Sequence, residues 1–317
     1  VALGLWLWLV VPAKAQASDD ADIVTEMIGC FRPSRPALVM NYDVTYVLQH
    51  IRLKRVAGAT IKATEGDWRS SVSNAWTPAC MIDFHIASPR AGNGAGKDDI
   101  SLLKRTISVL TMPGLKIIKY AKQNDEFIKP LFRKGRRMKY IEIYNFESGG
   151  LDYRRHDLVS GVVETNLAGM ADLARQGTEV ARQGTEVAGV LQALYAAYLE
   201  TPVVNNSVVN KVHFNVDGVV RTFDLKMKKG RTSVPVLPRK ITALYADIQP
   251  AEDGGSRDGS FSMWCMPFRE FPVVSDSRLA ATSLECSMVP LSGEYGLFLG
   301  AIQCTLTNIF VQSPEWN

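Results

Sequence analysis

Asn41-Tyr42-Asp43-Val44-Thr45-Tyr46-Val47-Leu48 places Tyr42, Val44, Tyr46 and Leu48 two residues apart, with Asn41, Asp43 and Thr45 between them. Successive side chains of an extended chain point to opposite faces, so this rhythm predicts a strand with one face buried and one face wet. Reading outward from it, 56–64 and 68–76 are expected as further strands. Next come Ile82, Phe84 and Ile86, alternating with Asp83 and His85. Segment 88–99 carries Gly92, Gly94 and Gly96 among polar residues and reads as a loop. The alternation resumes over 100–111, 116–124, 136–146 and 151–158, the last two joined by a turn at Glu147-Ser148-Gly149-Gly150.

Between 164 and 200 the period changes. Leu173, Val180, Val187, Leu191, Leu194 and Tyr198 recur at helical spacing, which predicts one amphipathic helix. Within it Ala174-Arg175-Gln176-Gly177-Thr178-Glu179-Val180 is repeated unchanged over 181–187. Seven residues are close to two helical turns, so the duplication keeps the apolar stripe nearly in phase. Past Pro202, Val212, Phe214 and Val216 meet Val219 across Asp217-Gly218, a pair suited to a two-residue hairpin turn. Further strands are expected at 241–248, 260–267, 279–289 and 296–310, with an acidic, glycine-rich loop over 251–259. About a dozen strands and one inserted helix predict a mainly β fold, a strongly curved antiparallel sheet or open β-barrel, in one domain over 38–310.

Composition narrows the class. With 317 residues and 46% hydrophobic content the chain is long enough to bury a core. Its net charge of +4 supplies no global attraction to nucleic acid. Residues 1–11 form a short apolar run closed by Pro12, and Ala15-Gln16-Ala17 offers the small residues that a signal peptidase requires. A signal peptide over 1–17, a flexible segment over 18–37 and an exported protein of the periplasm or cell envelope are therefore expected. Eleven apolar residues are too few for a membrane-spanning helix, which needs roughly twenty. Met27-Ile28-Gly29-Cys30 imitates a lipoprotein box, but Asp19, Asp20, Asp22 and Glu26 separate it from the apolar run that should abut it. The five cysteines have no metal-site spacing. Cys286 and Cys304, flanking the last expected hairpin, are the best disulfide pair, with small buried hydrophobes as the alternative reading.

No catalytic constellation emerges. Ser101-Leu102-Leu103-Lys104 matches an S-x-x-K pattern but lies in a strand-like segment, and its loose companions fall in the wrong order. Gly92-Asn93-Gly94-Ala95-Gly96-Lys97 lacks the first glycine of a phosphate loop, and Asp98 stands where a Ser or Thr should ligate magnesium. The four histidines are scattered, so neither a metal nor a cofactor is expected. The strongest asymmetry is charge. Between Lys116 and Lys139 nine basic residues face only Asp125 and Glu126, with Arg154 and Arg155 adjoining. On neighbouring strands they would form a cationic patch for lipid headgroups, lipopolysaccharide phosphates or acidic glycans, or a solvated face that protects a sheet edge.

The C-terminal third carries a specific resemblance. Phe261-Ser262-Met263-Trp264, Phe271-Pro272-Val273-Val274 and Gly300-Ala301-Ile302-Gln303-Cys304-Thr305-Leu306 look like the closing strands of the bacterial exported family called domain of unknown function 3108. Residues 41–63 resemble its opening hairpin and 212–227 its middle one. Cys265-Met266-Pro267-Phe268-Arg269-Glu270 intervenes where that family carries an acidic pair, and the repeat-bearing helix is longer than the family's helical connection. The resemblance implies an envelope-exposed β fold, with no established activity and no site residues.

Together these readings predict a non-enzymatic envelope protein. Tyr42, Tyr46, Trp68 and Trp76 would line a concave face for the apolar part of a lipid or amphipathic ligand. Arg133, Arg136, Arg137 and Lys139 would meet its anionic head, with peripheral membrane contact. Two alternatives are an envelope hydrolase with a site assembled from distant residues, and a scaffold acting through the helix.

Overall fold

The computed structural model describes residues 27, 29–48, 51–88, 100–112, 117–128, 136–148, 152–165, 194, 208–216, 219–251, 260–272, 288–297 and 300–313. They build one antiparallel sheet of fifteen strands. In chain order these are β1 (Phe31–Pro33), β2 (Ala37–Leu48), β3 (Ile51–Arg69), β4 (Trp76–Ala87) and β5 (Ile100–Thr111), followed by β6 (Ile117–Ile128), β7 (Arg136–Asn145), β8 (Asp152–Asp157) and β9 (Val163–Thr165). After them come β10 (Val208–Val216), β11 (Val219–Thr232), β12 (Ile241–Pro250), β13 (Phe261–Pro267), β14 (Met288–Leu297) and β15 (Gly300–Gln312).

The spatial order is a meander with one long-range closure. β10 to β15 follow in sequence, β15 pairs with β2, and β2 to β9 follow in sequence again. The two ends of the chain thus meet inside the sheet, where Leu306 lies opposite Tyr42 and Cys304 opposite Val44. β10 and β9 are the outer strands, and no pairing joins them among the described residues. Short β1 lies off this path beside the far end of β3. A Cβ at Gly66 would fall 2.2 Å from the Arg32 carbonyl oxygen, so only glycine lets β1 approach there.

Register sorts the side chains onto two faces. On the first, Leu38, Met40, Tyr42 and Val44 of β2 stand opposite Ala63, Ile61, Ala59 and Ala57 of β3, and all eight are buried. On the other face Trp68, Ala79, Met81, Ile107, Val109, Ala121, Ile141 and Ile143 form a separate core, capped by Met27 and Phe31. Both faces are therefore covered over β3 to β7, which is why Thr64 and His156 on the second face are buried as well.

Two expectations change. The stretch 68–76 is not a strand: β3 runs unbroken to Arg69, and residues 70–75 turn the chain into β4, with Asn74 at φ 56°. Asn is among the residues that tolerate this left-handed conformation. The turn is pinned by Glu147, whose carboxylate accepts hydrogen bonds from Trp68 Nε1 at 2.7 Å and from the backbone and hydroxyl of Ser71. Burial alone would raise the pKa of Glu147, but those bonds and nearby Lys119 outweigh it and leave it lowered. The insertion expected over 164–200 begins later than predicted, because Val163–Thr165 is strand β9. The rest of that stretch lies outside the described residues except for Leu194, which is fully buried against β11, β12 and β13.

The hairpin at Asp217-Gly218 forms in the expected register, with Val216 opposite Val219. The expected loop over 88–99 lies outside the described residues beyond Ser88, as does the turn glycine pair 149–150. Cys30, Cys80, Cys265 and Cys304 are free thiols, and Cys286, the expected partner of Cys304, lies outside the described residues. Burial pushes the thiols of Cys80 and Cys265 up to about 12, as befits the small-hydrophobe alternative. No helix among the described residues is long and apolar enough to cross a membrane.

Candidate functional site

One register across eight strands defines the site. From β2 to β9 the residues directly opposite one another are Met40, Ile61, Phe84, Thr106, Lys122, Glu142, Arg155 and Glu164. Directly opposed residues share a face. The Tyr42 face therefore begins aliphatic and ends as four charges of alternating sign. Lys122 and Glu142 are each only 3% exposed.

The charges are close enough to hold one another. Lys122 Nζ lies 3.8 Å from Glu142 Oε2, and Arg155 Nη1 lies 3.5 Å from Glu142 Oε1. Arg155 Nε reaches Glu164 Oε2 at 4.0 Å at the more exposed end. Tyr153 donates its hydroxyl to Glu142 Oε1 at 3.4 Å, and burial followed by that carboxylate's charge pushes the phenol above its ordinary range. Burial works against the charge of Arg155, yet Glu142 and the nearby tyrosines leave its pKa raised. The ring of Tyr140 sits under both cations, 4.4 Å from the Arg155 guanidinium and 5.8 Å from Lys122 Nζ.

Aromatics and amides complete the cluster. In the adjacent register Ser108 faces Tyr120, Tyr144 and Tyr153, and the three rings pack at centroid distances of 5.3 and 4.9 Å. On the other side Lys104, Asn124, Tyr140 and Asp157 stand in line. Asn124 is 1% exposed, and its Oδ1 has no hydrogen-bond partner among the described residues. An acceptor in that state costs on the order of 1–3 kcal/mol, so the arrangement sacrifices stability.

Burial grades along the strands. The line through Tyr120, Tyr144 and Tyr153 is closed, whereas Ile86, Lys104, Tyr140 and Asp157 are half-buried, as are Tyr46 and Ile302 nearer the same end of β2 and β15. Access to the face therefore lies at the end marked by Tyr46, Ile86 and Tyr140. Apolar Ile86 stands there opposite cationic Lys104.

The residues expected to form a ligand site are placed differently. Tyr42 and Tyr46 share the first face, but Tyr42 is buried and donates its hydroxyl to the Pro290 carbonyl at 2.9 Å, which makes it a tie between β2 and β14. Trp68 belongs to the core of the opposite face. Trp76 opens β4 and is 48% exposed, apart from both. The four aromatics therefore do not line one concavity, because a strand that continues from Ile51 to Arg69 sets Trp68 out of phase with Tyr42. Arg137 and Lys139 lie on the opposite face; Arg137 makes a forked pair with Asp125 at 3.0 and 2.8 Å, and Lys139 Nζ lies 3.9 Å from the same carboxylate. Arg133 lies outside the described residues, as does the side chain of Arg136.

The basic run 116–139 is thus divided by alternation. Lys122 turns to the first face, while Lys119 lies over Trp68 at 5.7 Å on the second. Sequence reasoning counted Lys122 and Arg155 among the cations but missed Glu142, Glu164 and their alignment, which needs the pairing register. Among the described residues no three His, Cys, Asp or Glu side chains come together as a metal site.

Comparison with known proteins adds little. No family model matches the chain, and no curated protein matches it. Among solved structures it is similar to the crystal structure of a beta-barrel-like protein of domain of unknown function DUF1849 from Brucella abortus. The identity is 8%, the match covers 89% of this chain and 100% of that one, and the TM-score is 0.41, too low for an argument about fold or function.

Proposed function

We propose that the chain is an exported, non-enzymatic cell-envelope protein whose sheet curls about the Tyr42 face and holds an amphipathic, anionic lipid at the half-buried end of that face. The observation that carries the reading is the in-register change from Met40, Ile61 and Phe84 to Lys122, Glu142 and Arg155. An acyl chain fits the aliphatic half. A phosphate or carboxylate headgroup fits Lys104 and Arg155, with Lys122 behind them.

Curvature is supported by the extent of burial. The fourteen strands of the path, spaced about 4.8 Å apart, would span about 60 Å if flat, yet residues from β2 to β8 and β12 to β15 stand in one buried cluster. The segment 1–17 and the likeness to domain of unknown function 3108 support export. Binding is favoured over hydrolysis because Glu142, the buried carboxylate of the cluster, is engaged by two cations and a tyrosine hydroxyl. A general base or nucleophile needs such a group poised toward a substrate.

Protein purified from envelopes is expected to release a lipid into organic solvent, detected by mass spectrometry. It should co-sediment with phosphatidylglycerol vesicles in preference to phosphatidylcholine ones. Replacing Lys104 and Arg155 together by glutamate should lower that binding about tenfold or more. Absence of extractable lipid together with unchanged vesicle binding by the double variant would overturn the proposal.

A further inference from the structure

Over β11 to β15 the sheet carries an open groove. There Lys228, Tyr245, Trp264, Ser292 and Thr305 stand in one register, with Ser262, Glu294 and Gln303 in the next. Tyr245 and Trp264 are half-buried neighbours, their ring centroids 5.1 Å apart and their planes inclined by 57°. A Cβ at position 230 would stand 2.7 Å from the far edge of the indole, so Gly230 is what allows Trp264 to lie down across β12. The groove between these rings and the polar row has a volume of about 280 Å³.

We propose that this groove binds a neutral pyranose unit of a glycan chain. A sugar ring combines an apolar C–H face with a rim of hydroxyls. The groove presents the complement: two aromatic rings beside Ser262, Ser292 and Thr305 hydroxyls and a fixed amide and carboxylate pair. Gln303 Nε2 donates to Glu294 Oε2 at 2.7 Å, which orients the amide and leaves the carboxylate with acceptor capacity for further hydroxyl donors. Lys228 Nζ lies 5.1 Å from the Tyr245 ring centroid, at the end of the same row and outside the groove lining. No lysine or arginine lines the groove, and Glu294 does, so an anionic sugar is disfavoured. The volume lies below the roughly 300–1,000 Å³ of sites for drug-sized ligands, which suits one ring of a longer chain.

A groove lined by Thr60, Lys62, Asp83, His85 and Arg105 differs in kind. Its Arg105 and Asp83 are occupied by a forked pair at 3.0 and 2.8 Å.

The test is a titration of the full chain with chitohexaose, cellohexaose and maltohexaose, followed by tryptophan fluorescence and calorimetry. Saturable binding of at least one, with a change in emission, is expected. Tyr245→Ala and Gln303→Ala should each weaken it about tenfold, and Tyr245→Phe should retain most of it. Trp264 is left intact because its indole also packs against the core. Absence of saturable binding up to about 10 mM of all three, affinity unchanged in both alanine variants, or tighter binding of polygalacturonate than of any neutral chain would overturn the proposal.

Discussion

The two halves of the Tyr42 face are made by the same backbone and buried to the same degree, yet on opposite principles. In β2 to β4, Met40, Ile61 and Phe84 fill the interior with apolar atoms, and their burial needs no partner. In β6 to β8, Lys122, Glu142 and Arg155 occupy equivalent positions and persist only because each lies opposite its counter-charge. Taking such charges out of water costs several kcal/mol per ion, and their attraction seldom returns more than that. The first half is what folding requires. The second is what folding merely tolerates, which is the reason for assigning it a binding role.

Removing one partner from the charged half should have the largest effect. Glu142→Ala removes the carboxylate paired with buried Lys122 and is expected to cost about 3–5 kcal/mol in urea unfolding. If Glu142→Ala proved as mild as a surface substitution, the cluster would be wet rather than buried and the contrast would disappear. In the apolar half Ile61→Ala should cost about 2–4 kcal/mol by the same measurement, through lost transfer energy and a cavity. The smallest effect sharpens the comparison most. Lys122→Met combined with Glu142→Leu, which converts the charged half to the style of the apolar one, should leave stability within about 1 kcal/mol of the parent or above it. The same variant should lose affinity for phosphatidylglycerol vesicles; retention of full affinity would separate the charges from ligand binding.

Much of the architecture was legible in the residues. The alternation in Asn41 to Leu48 appears as β2, 100–111 as β5, and Asp217-Gly218 as the β10 to β11 hairpin with Val216 opposite Val219. Local rules are enough for these, because face alternation and turn chemistry act over a few residues. Trp68 shows where such rules fail. Its aromatic character suggested a place beside Tyr42, but the face it joins depends on β3 continuing without a break to Arg69. The candidate site was less accessible still, because Lys122, Glu142 and Arg155 lie successively 20 and 13 residues apart in sequence and meet only through register.

By itself the sequence determined that the chain forms antiparallel strands, where most of them lie, and that each carries an apolar and a polar set of side chains. This follows from the two-residue period of the extended backbone, a property of every segment taken alone. Only the tertiary structure decided that β15 inserts beside β2 and that the charges of β6 to β9 are drawn into a single line, buried at Lys122 and Glu142. The same pairing of distant strands gathers Tyr245, Trp264 and Gln303 around one groove. Hydrogen bonds between strands set the relative shift of one strand against the next, and a shift of one residue would send every one of these side chains to the other face.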